Sequence, residues 1–314
     1  KKTSDILLQL PIPGIVGIST EPYVNAASVK NEGWEFALGY NDQWGDWTFG
    51  ANVNFSKVKN EILDLHGKDS WITDWSINLE GHPINSYYGY VADGLYRTQE
   101  DVDEANEKNS VGGGALKLGD IRYKDISGPE GKPDGVVDTN DRTVIGNPFP
   151  DFTYGFQTKV SWKSLSLSAS FNGVQGRDIL NVGNRYNNTP GTKSNNVTRK
   201  AFQNMWTDEN PSNLYPKSTF VVQNMVMDRY VEDGSYLRCS DITLSYVLPA
   251  KWTNKIGIKN TSVYASVKNA FVITDYSGYD PEVNSFAFDG LRPGVDMNSY
   301  PTPRSFVFGL NLTF

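Results

Sequence analysis

The chain of 314 residues has one cysteine, two histidines and no long apolar run. A lone Cys239 can form no intrachain disulfide and no thiolate zinc site. His66 and His82 lie too far apart in sequence to suggest a catalytic or metal-binding pair. G-x-S-x-G, H-E-x-x-H, G-x-G-x-x-G and a P-loop are all missing, and no two carboxylates stand out as a glycosidase pair, so the sequence speaks against an enzyme. No block of five basic residues occurs and the formal net charge is −7, which removes nucleic acid as a partner. The mean hydropathy of −0.47 leaves no helix able to cross a bilayer. It does not exclude a membrane β-barrel, whose strands are only half apolar. There is no initiator Met and no charged-then-apolar leader, so a leader removed or a start partway through a longer protein is expected.

What the chain does have is aromatic residues, 13% of the total, together with 29 glycines. Many of them fall on a period of two. In 304–314, Phe306, Phe308, Leu310, Leu312 and Phe314 share one parity, against Ser305, Gly309, Asn311 and Thr313. Similar alternation over 33–41 and 46–56, over 152–162 and 164–174, and over 235–248 and 261–271 predicts three strand pairs with one apolar face each. The segments 84–96 and 116–126 are two further candidates that both cross or both do not. The connectors 57–83, 97–151, 174–234 and 272–303 are long. A compact soluble domain rarely tolerates several such loops, whereas an outer-membrane barrel has short turns at one end and long loops at the other. Counting crossings back from 304–314 puts every short turn on one side. Trp34, Trp47 and Trp162 fall near strand ends, where an aromatic girdle would meet the membrane interface; core packing is the other reading.

Six segments, in order, carry a family resemblance: "NEGWEFAL", "GHPINSYYGYVADGLYRT", "GDIRYKDISG…DGVVDTNDRTVIGNPFPDFTYGF", "DGSYLRCSDITLSYVLP", "VYASVKNAFVITDYSGYDPEV" and the final alternating strand. From residue 28 to 314 the chain resembles the C-terminal third of a SusC/RagA-type TonB-dependent outer-membrane transporter of Bacteroidota. The resemblance implies an all-β fold: an antiparallel transmembrane barrel segment, seven to nine strands of a 22-stranded barrel, with long extracellular loops. It implies that residues 1–314 are the C-terminal part of the barrel domain, with the plug and TonB box absent. It implies a SusD-like lipoprotein, the TonB complex, the missing plug and strands, and outer-membrane lipid as partners. An oligosaccharide or peptide would be the cargo. Phe306, Phe308, Leu310, Leu312 and Phe314 would form the closing strand and the signal for barrel insertion.

Two candidate sites remain. Asp134, Val136, Asp138 and Asp141 follow the second half of an EF-hand-like loop, with Asp125 and Ser127 as its first ligands, so Ca²⁺ is a possible ligand although no cofactor is required. The alternative is an acidic turn held by Asx hydrogen bonds around Gly135. Trp71 and Trp75, and Phe202 and Trp206 on a short amphipathic helix, are expected to contact substrate or lid, or simply to pack the loops. The rival for the whole chain is a soluble secreted β-sandwich carbohydrate-binding module. It requires the apolar strand faces to meet each other rather than lipid.

Overall fold

The computed structural model describes residues 1–9, 23–65, 67–111, 116–189, 196–212, 214–217, 225–253, 257–258, 260–282, 285–286 and 292–313. Phe314 lies outside them. Three strands open the chain: β1 (Lys2–Gln9), β2 (Tyr23–Trp44) and β3 (Trp47–Asp64). The next connector carries β4 (Ser70–Ile72), β5 (Ser76–Leu79), β6 (Ser86–Gly89), β7 (Ala92–Leu95), helix α1 (Gln99–Glu107), β8 (Ile121–Tyr123) and β9 (Thr143–Gly146). A hairpin follows, β10 (Phe152–Trp162) and β11 (Leu165–Gln175). The second connector holds β12 (Asp178–Asn181), α2 (Val182–Asn188), α3 (Arg199–Asn204) and β13 (Val231–Asp233). The chain continues through β14 (Tyr236–Val247), α4 (Ala250–Thr253), β15 (Asn260–Thr274), β16 (Val295–Asp296) and β17 (Ser305–Thr313).

Eight strands form one antiparallel sheet in the order β1-β2-β3-β10-β11-β14-β15-β17. The expected seven crossings become eight, because Lys2–Gln9 pairs with β2. That segment, KTSDILLQ, has no clean alternation to betray it. Neither 84–96 nor 116–126 crosses. Left-handed backbone at Asn85 (φ 56°) and Gly94 (φ 81°) breaks the first into short strands outside the sheet.

Two hairpins set the register. Trp44 pairs with Trp47 across a turn at Gly45 (φ 59°), and Trp162 pairs with Leu165 across Lys163 (φ 50°). The Lys163 N–H donates to the Asp46 carbonyl at 3.0 Å, tying the two turns together. Gly33 of the NEG segment has a steric reason: a Cβ there would collide with the Lys57 carbonyl oxygen on β3.

Because side chains alternate, the register sorts the sheet into two faces. One carries Asn54, Gly155, Asn172 and Arg238 in one cross-strand row and Asn52, Gln157, Ser170, Asp241 and Lys268 in the next. On the other, Trp34 is 81% exposed, Phe36 63% and Phe308 79%, and Leu244, Phe306, Leu310 and Leu312 are open as well. A soluble sandwich would have buried this face, so that alternative is not favoured and the face is suited to lipid. At the short-turn end Trp44, Trp47 and Trp162 lie side by side, the last two with ring centroids 6.0 Å apart. At the other end Phe55 and Phe152 meet at 5.2 Å. Ten residue steps separate Phe152 from Trp162, about 33 Å along the strand, or about 25 Å at a tilt near 40°, the height of a barrel's apolar band.

The buried core lies in the connectors. Tyr87, Tyr90, Leu95, Ile121, Tyr123, Leu180, Val182, Trp206, Met227, Tyr230 and Val295 form one cluster drawn from three connectors. Backbone bonds lace them: Tyr90 N–H to Val226 O at 2.9 Å, Asp228 N–H to Tyr90 O at 3.0 Å, and a parallel pairing of Leu180 with Val295. Tyr87, buried here, donates to the Pro293 carbonyl at 2.9 Å. Burial pushes the Tyr87 and Tyr123 phenols well above their ordinary range, so both stay neutral donors. The long loops are therefore a packed layer on the end of the sheet opposite the short turns.

Candidate functional site

The loop layer opens into a polar cavity of about 420 Å³ lined by Asn181, Asn184, Asn187, Asn188, Tyr279 and Asn298, with Thr198, Lys200, Tyr215, Ser277 and Gly278. Its asparagines come mostly from α2. Asn181 caps that helix by accepting the Asn184 N–H at 2.8 Å. The 181, 184, 188 spacing puts the amides on one helical face. Glu232 of β13 holds the walls together. One carboxylate oxygen accepts from Asn181 Nδ2 (3.0 Å), Asn184 Nδ2 (2.8 Å) and Ser277 Oγ (2.9 Å), and the other accepts the Ser277 N–H at 2.9 Å. Asn187 donates to Asn298 at 3.2 Å, and Thr198 Oγ1 to Asn188 at 2.7 Å. These bonds use only part of each amide's two donors and two lone pairs. The remaining capacity belongs to residues that line the cavity, where the Tyr279 ring is exposed beside them. Such a site suits a ligand rich in hydroxyl or amide groups with one flat face to stack.

Residues 277–279 form one wall, and both of their ends are anchored. Tyr276 donates to Asp296 at 2.8 Å; burial and that bond raise its pKa far above the phenol range. On the other side Asp280, 2% exposed, meets Arg238, 4% exposed, at 2.5 Å. Arg238 Nε lies 2.6 Å from Glu282, which also accepts the Tyr236 hydroxyl at 2.6 Å. Asp280 accepts the N–H groups of Glu282 and Thr302 at 3.0 Å each. The YDPE segment is thus clamped to the polar face of β14.

The predicted site residues are distributed differently. Trp71 is buried against Ala27, Val29, Ile62 and Leu65, where it seals the loop layer to the wall. Trp75 is half-buried between Phe286 and Arg292, at 5.4 and 5.2 Å. Trp206 is buried, with Lys217 Nζ over its ring at 5.1 Å. Phe202 on α3 is exposed and does not line the cavity.

In the acidic turn, Asp141 is fully buried and accepts the N–H groups of Ile126 (2.7 Å), Ser127 (3.0 Å) and Asp138 (2.7 Å). Asp125 accepts from Gly135 at 2.5 Å, Asp134 from Val136 at 3.0 Å, and Asp138 from Asn140 at 2.7 Å. The backbone of Ser127 and Val136 thus serves the turn as donor. Among the described residues no three Asp, Glu, His or Cys side chains converge on a metal position.

Sequence reasoning missed the asparagine cavity and the Arg238 clamp. The crowding of asparagines in NVGNRYNN was the available signal for the first; nothing local marks the second.

Comparison with known proteins fits this geometry. No family model matches the chain. Two TonB-dependent receptors of Formosa agariphila are 32% and 31% identical to it, each over 100% of this chain and 32% and 31% of their own lengths. The chain is a relative of TonB-dependent receptors throughout. The TonB-dependent receptor SusC of Bacteroides thetaiotaomicron is 28% identical over 100% of the chain and 29% of its own length. The RagAB peptide transporter superposes with a TM-score of 0.78 at 25% identity, over 100% of this chain and 32% of that one. Its importer in the 'open-open' state gives 0.75 at 27%, with the same coverage. The chain spans about a third of the length of these receptors, and its two-faced antiparallel sheet matches a fragment of the RagAB barrel.

Proposed function

We propose that residues 1–314 supply the C-terminal barrel wall, outer loops and closing strand of an outer-membrane importer for oligosaccharides or peptides. The complete receptor would carry the remaining strands and the plug, be energised by TonB, and work with a SusD-like lipoprotein over the loop layer. This segment performs no chemistry: it binds, shapes a path and seals against lipid. The observation that carries the reading is the sheet with one open apolar face and one polar face, on a chain related to these receptors from end to end. The asparagine cavity sits in the loop layer, on the side where cargo arrives.

The test is uptake by cells carrying the complete receptor. Removing the receptor, or removing TonB, is expected to abolish uptake of the cargo. Tyr279→Ala or Asn298→Ala is expected to weaken cargo affinity about tenfold, the loss of one stacked ring or one paired amide, with receptor abundance unchanged. Uptake that continues without TonB would sink the reading.

The 125–141 turn, we infer, is held by backbone N–H groups donating to carboxylates rather than by calcium. Chelator treatment of the purified receptor is expected to leave its melting temperature in place. A downward shift of several degrees, restored by Ca²⁺, would return the metal to Asp125, Asp134, Asp138 and Asp141.

A further inference from the structure

Above the apolar band, the outward face of the first three strands changes character. Trp34 ends the run of alternating aromatics on β2, and Lys57 stands directly opposite it on β3. Beyond that row come Glu32 opposite Lys59, then Lys30 opposite Glu61, with Lys2 of β1 opposite Lys30. All share the outward face, since paired residues point the same way and alternate ones repeat. The other face of this stretch is closed, because Val29 and Ile62 are buried under Trp71. Lys30 pairs with Glu32 at 2.7 Å and Lys59 with Glu61 at 2.8 Å. Lys2 and Lys57 have no carboxylate partner among the described residues. Four lysines against two glutamates leave this stripe positive on a chain whose net charge is −7.

Height decides what the stripe meets. Trp47, at the short-turn girdle, and Lys57 are ten residues apart on one strand. That is about 33 Å along β3 and about 25 Å along the membrane normal at a tilt near 40°. Lys57 therefore stands where hydrocarbon gives way to headgroups, with Lys59 and Lys2 beyond it. Lysine stems can lie along Trp34 while their ammonium groups reach outward.

We propose that Lys2, Lys30, Lys57 and Lys59 form a docking stripe for a phosphorylated glycolipid of the outer leaflet. The phosphates meet the ammonium groups, the sugars meet Glu32 and Glu61, and the acyl chains lie on Trp34, Phe36 and Phe55. This rests on the membrane reading above.

The test uses the complete receptor, purified in detergent, with bis-phosphorylated lipid A as probe. Lys57→Glu combined with Lys59→Glu is expected to weaken binding about tenfold or more, as each lysine near an anionic surface counts for roughly fivefold. Lys57→Ala with Lys2→Ala is a milder second variant that leaves both ion pairs intact and should lose several-fold. Lys159→Glu, on the lumenal face, should bind as wild type. Dephosphorylated lipid A should bind the wild type at least tenfold more weakly. Equal affinity in all variants overturns the stripe, and so does inorganic phosphate competing at the same concentration as lipid A. A receptor absent from the outer-membrane fraction would instead overturn the membrane reading, so the two failures are separable.

Discussion

Phe156→Lys in the complete receptor is expected to lower folding stability by about 2–4 kcal/mol, the cost of a lysine near the bilayer midplane. Gln157→Lys, one residue along, is expected to cost almost nothing. Phe156 lies on the apolar face between the Phe152 and Trp162 levels and packs on Phe171 at 6.1 Å. Gln157 lies on the opposite face, in the row of Asn52 and Ser170. A sandwich core would also reject a lysine at Phe156, so the measurement is made in a bilayer, where the apolar face has lipid rather than protein to meet. The measurement is urea unfolding of receptor refolded into liposomes, with abundance in the outer membrane as a second readout. Equal tolerance of both lysines would show that the apolar face is not lipid-facing.

Arg238→Ala is expected to be the most damaging change in the loop layer, at about 3–5 kcal/mol, because it strands the buried Asp280 carboxylate rather than merely losing a pair. Asp280 is nearly inaccessible and Glu282 loses its neighbour at 2.6 Å. The expected result is rapid proteolysis within 275–303 and weakened cargo binding, while the barrel strands stay protected. Arg238→Lys should recover little, since one ammonium cannot serve both acids with the guanidinium's geometry. The same clamp sets a pH limit. Burial pushes the Asp280 carboxyl up, but the N–H groups of Glu282 and Thr302 and the Arg238 charge outweigh it, and the folded pKa lies below the ordinary carboxylate value. A depressed pKa gives stability that is present above the unfolded value and lost as pH falls through the folded one. Protease resistance of 275–303 should therefore hold through mildly acidic pH and fail only in stronger acid. Failure on crossing into mildly acidic pH would place the anchor elsewhere.

How far these features could be read beforehand depended on the range of the interaction that made them. The hairpins at Gly45 and Lys163 were legible because period-two alternation and a tight turn are local. The same rule missed β1, where Ile6, Leu7 and Leu8 run together and pairing with β2 supplies the strand. It left 84–96 and 116–126 open as a pair, and only the turns at Asn85 and Gly94 show why the first does not join the sheet. Trp71 and Trp206 were read as substrate or lid contacts or as loop packing, and the choice turns on partners from distant segments, which bury both rings. The acidic turn shows the converse. Its spacing was visible, but the N–H groups that occupy Asp141 come from across the loop. The Arg238 clamp joins residues 42 apart in sequence at the loop end of β14, a distance that no local pattern spans.

The packed loop layer also constrains the order of folding. Tyr87 needs the carbonyl of Pro293, a separation of 206 residues, and Leu180 needs Val295. Closing such long loops is entropically costly until the strands between them have paired. The hairpins around Gly45 and Lys163 can form early from their own neighbours, whereas the cluster around Tyr87 has to wait for β14, β15 and the segment beyond. During that interval Tyr87, Tyr90 and Met227 stand open, and an assembly intermediate arrested before 292–303 arrives would present them to whatever chaperone escorts it.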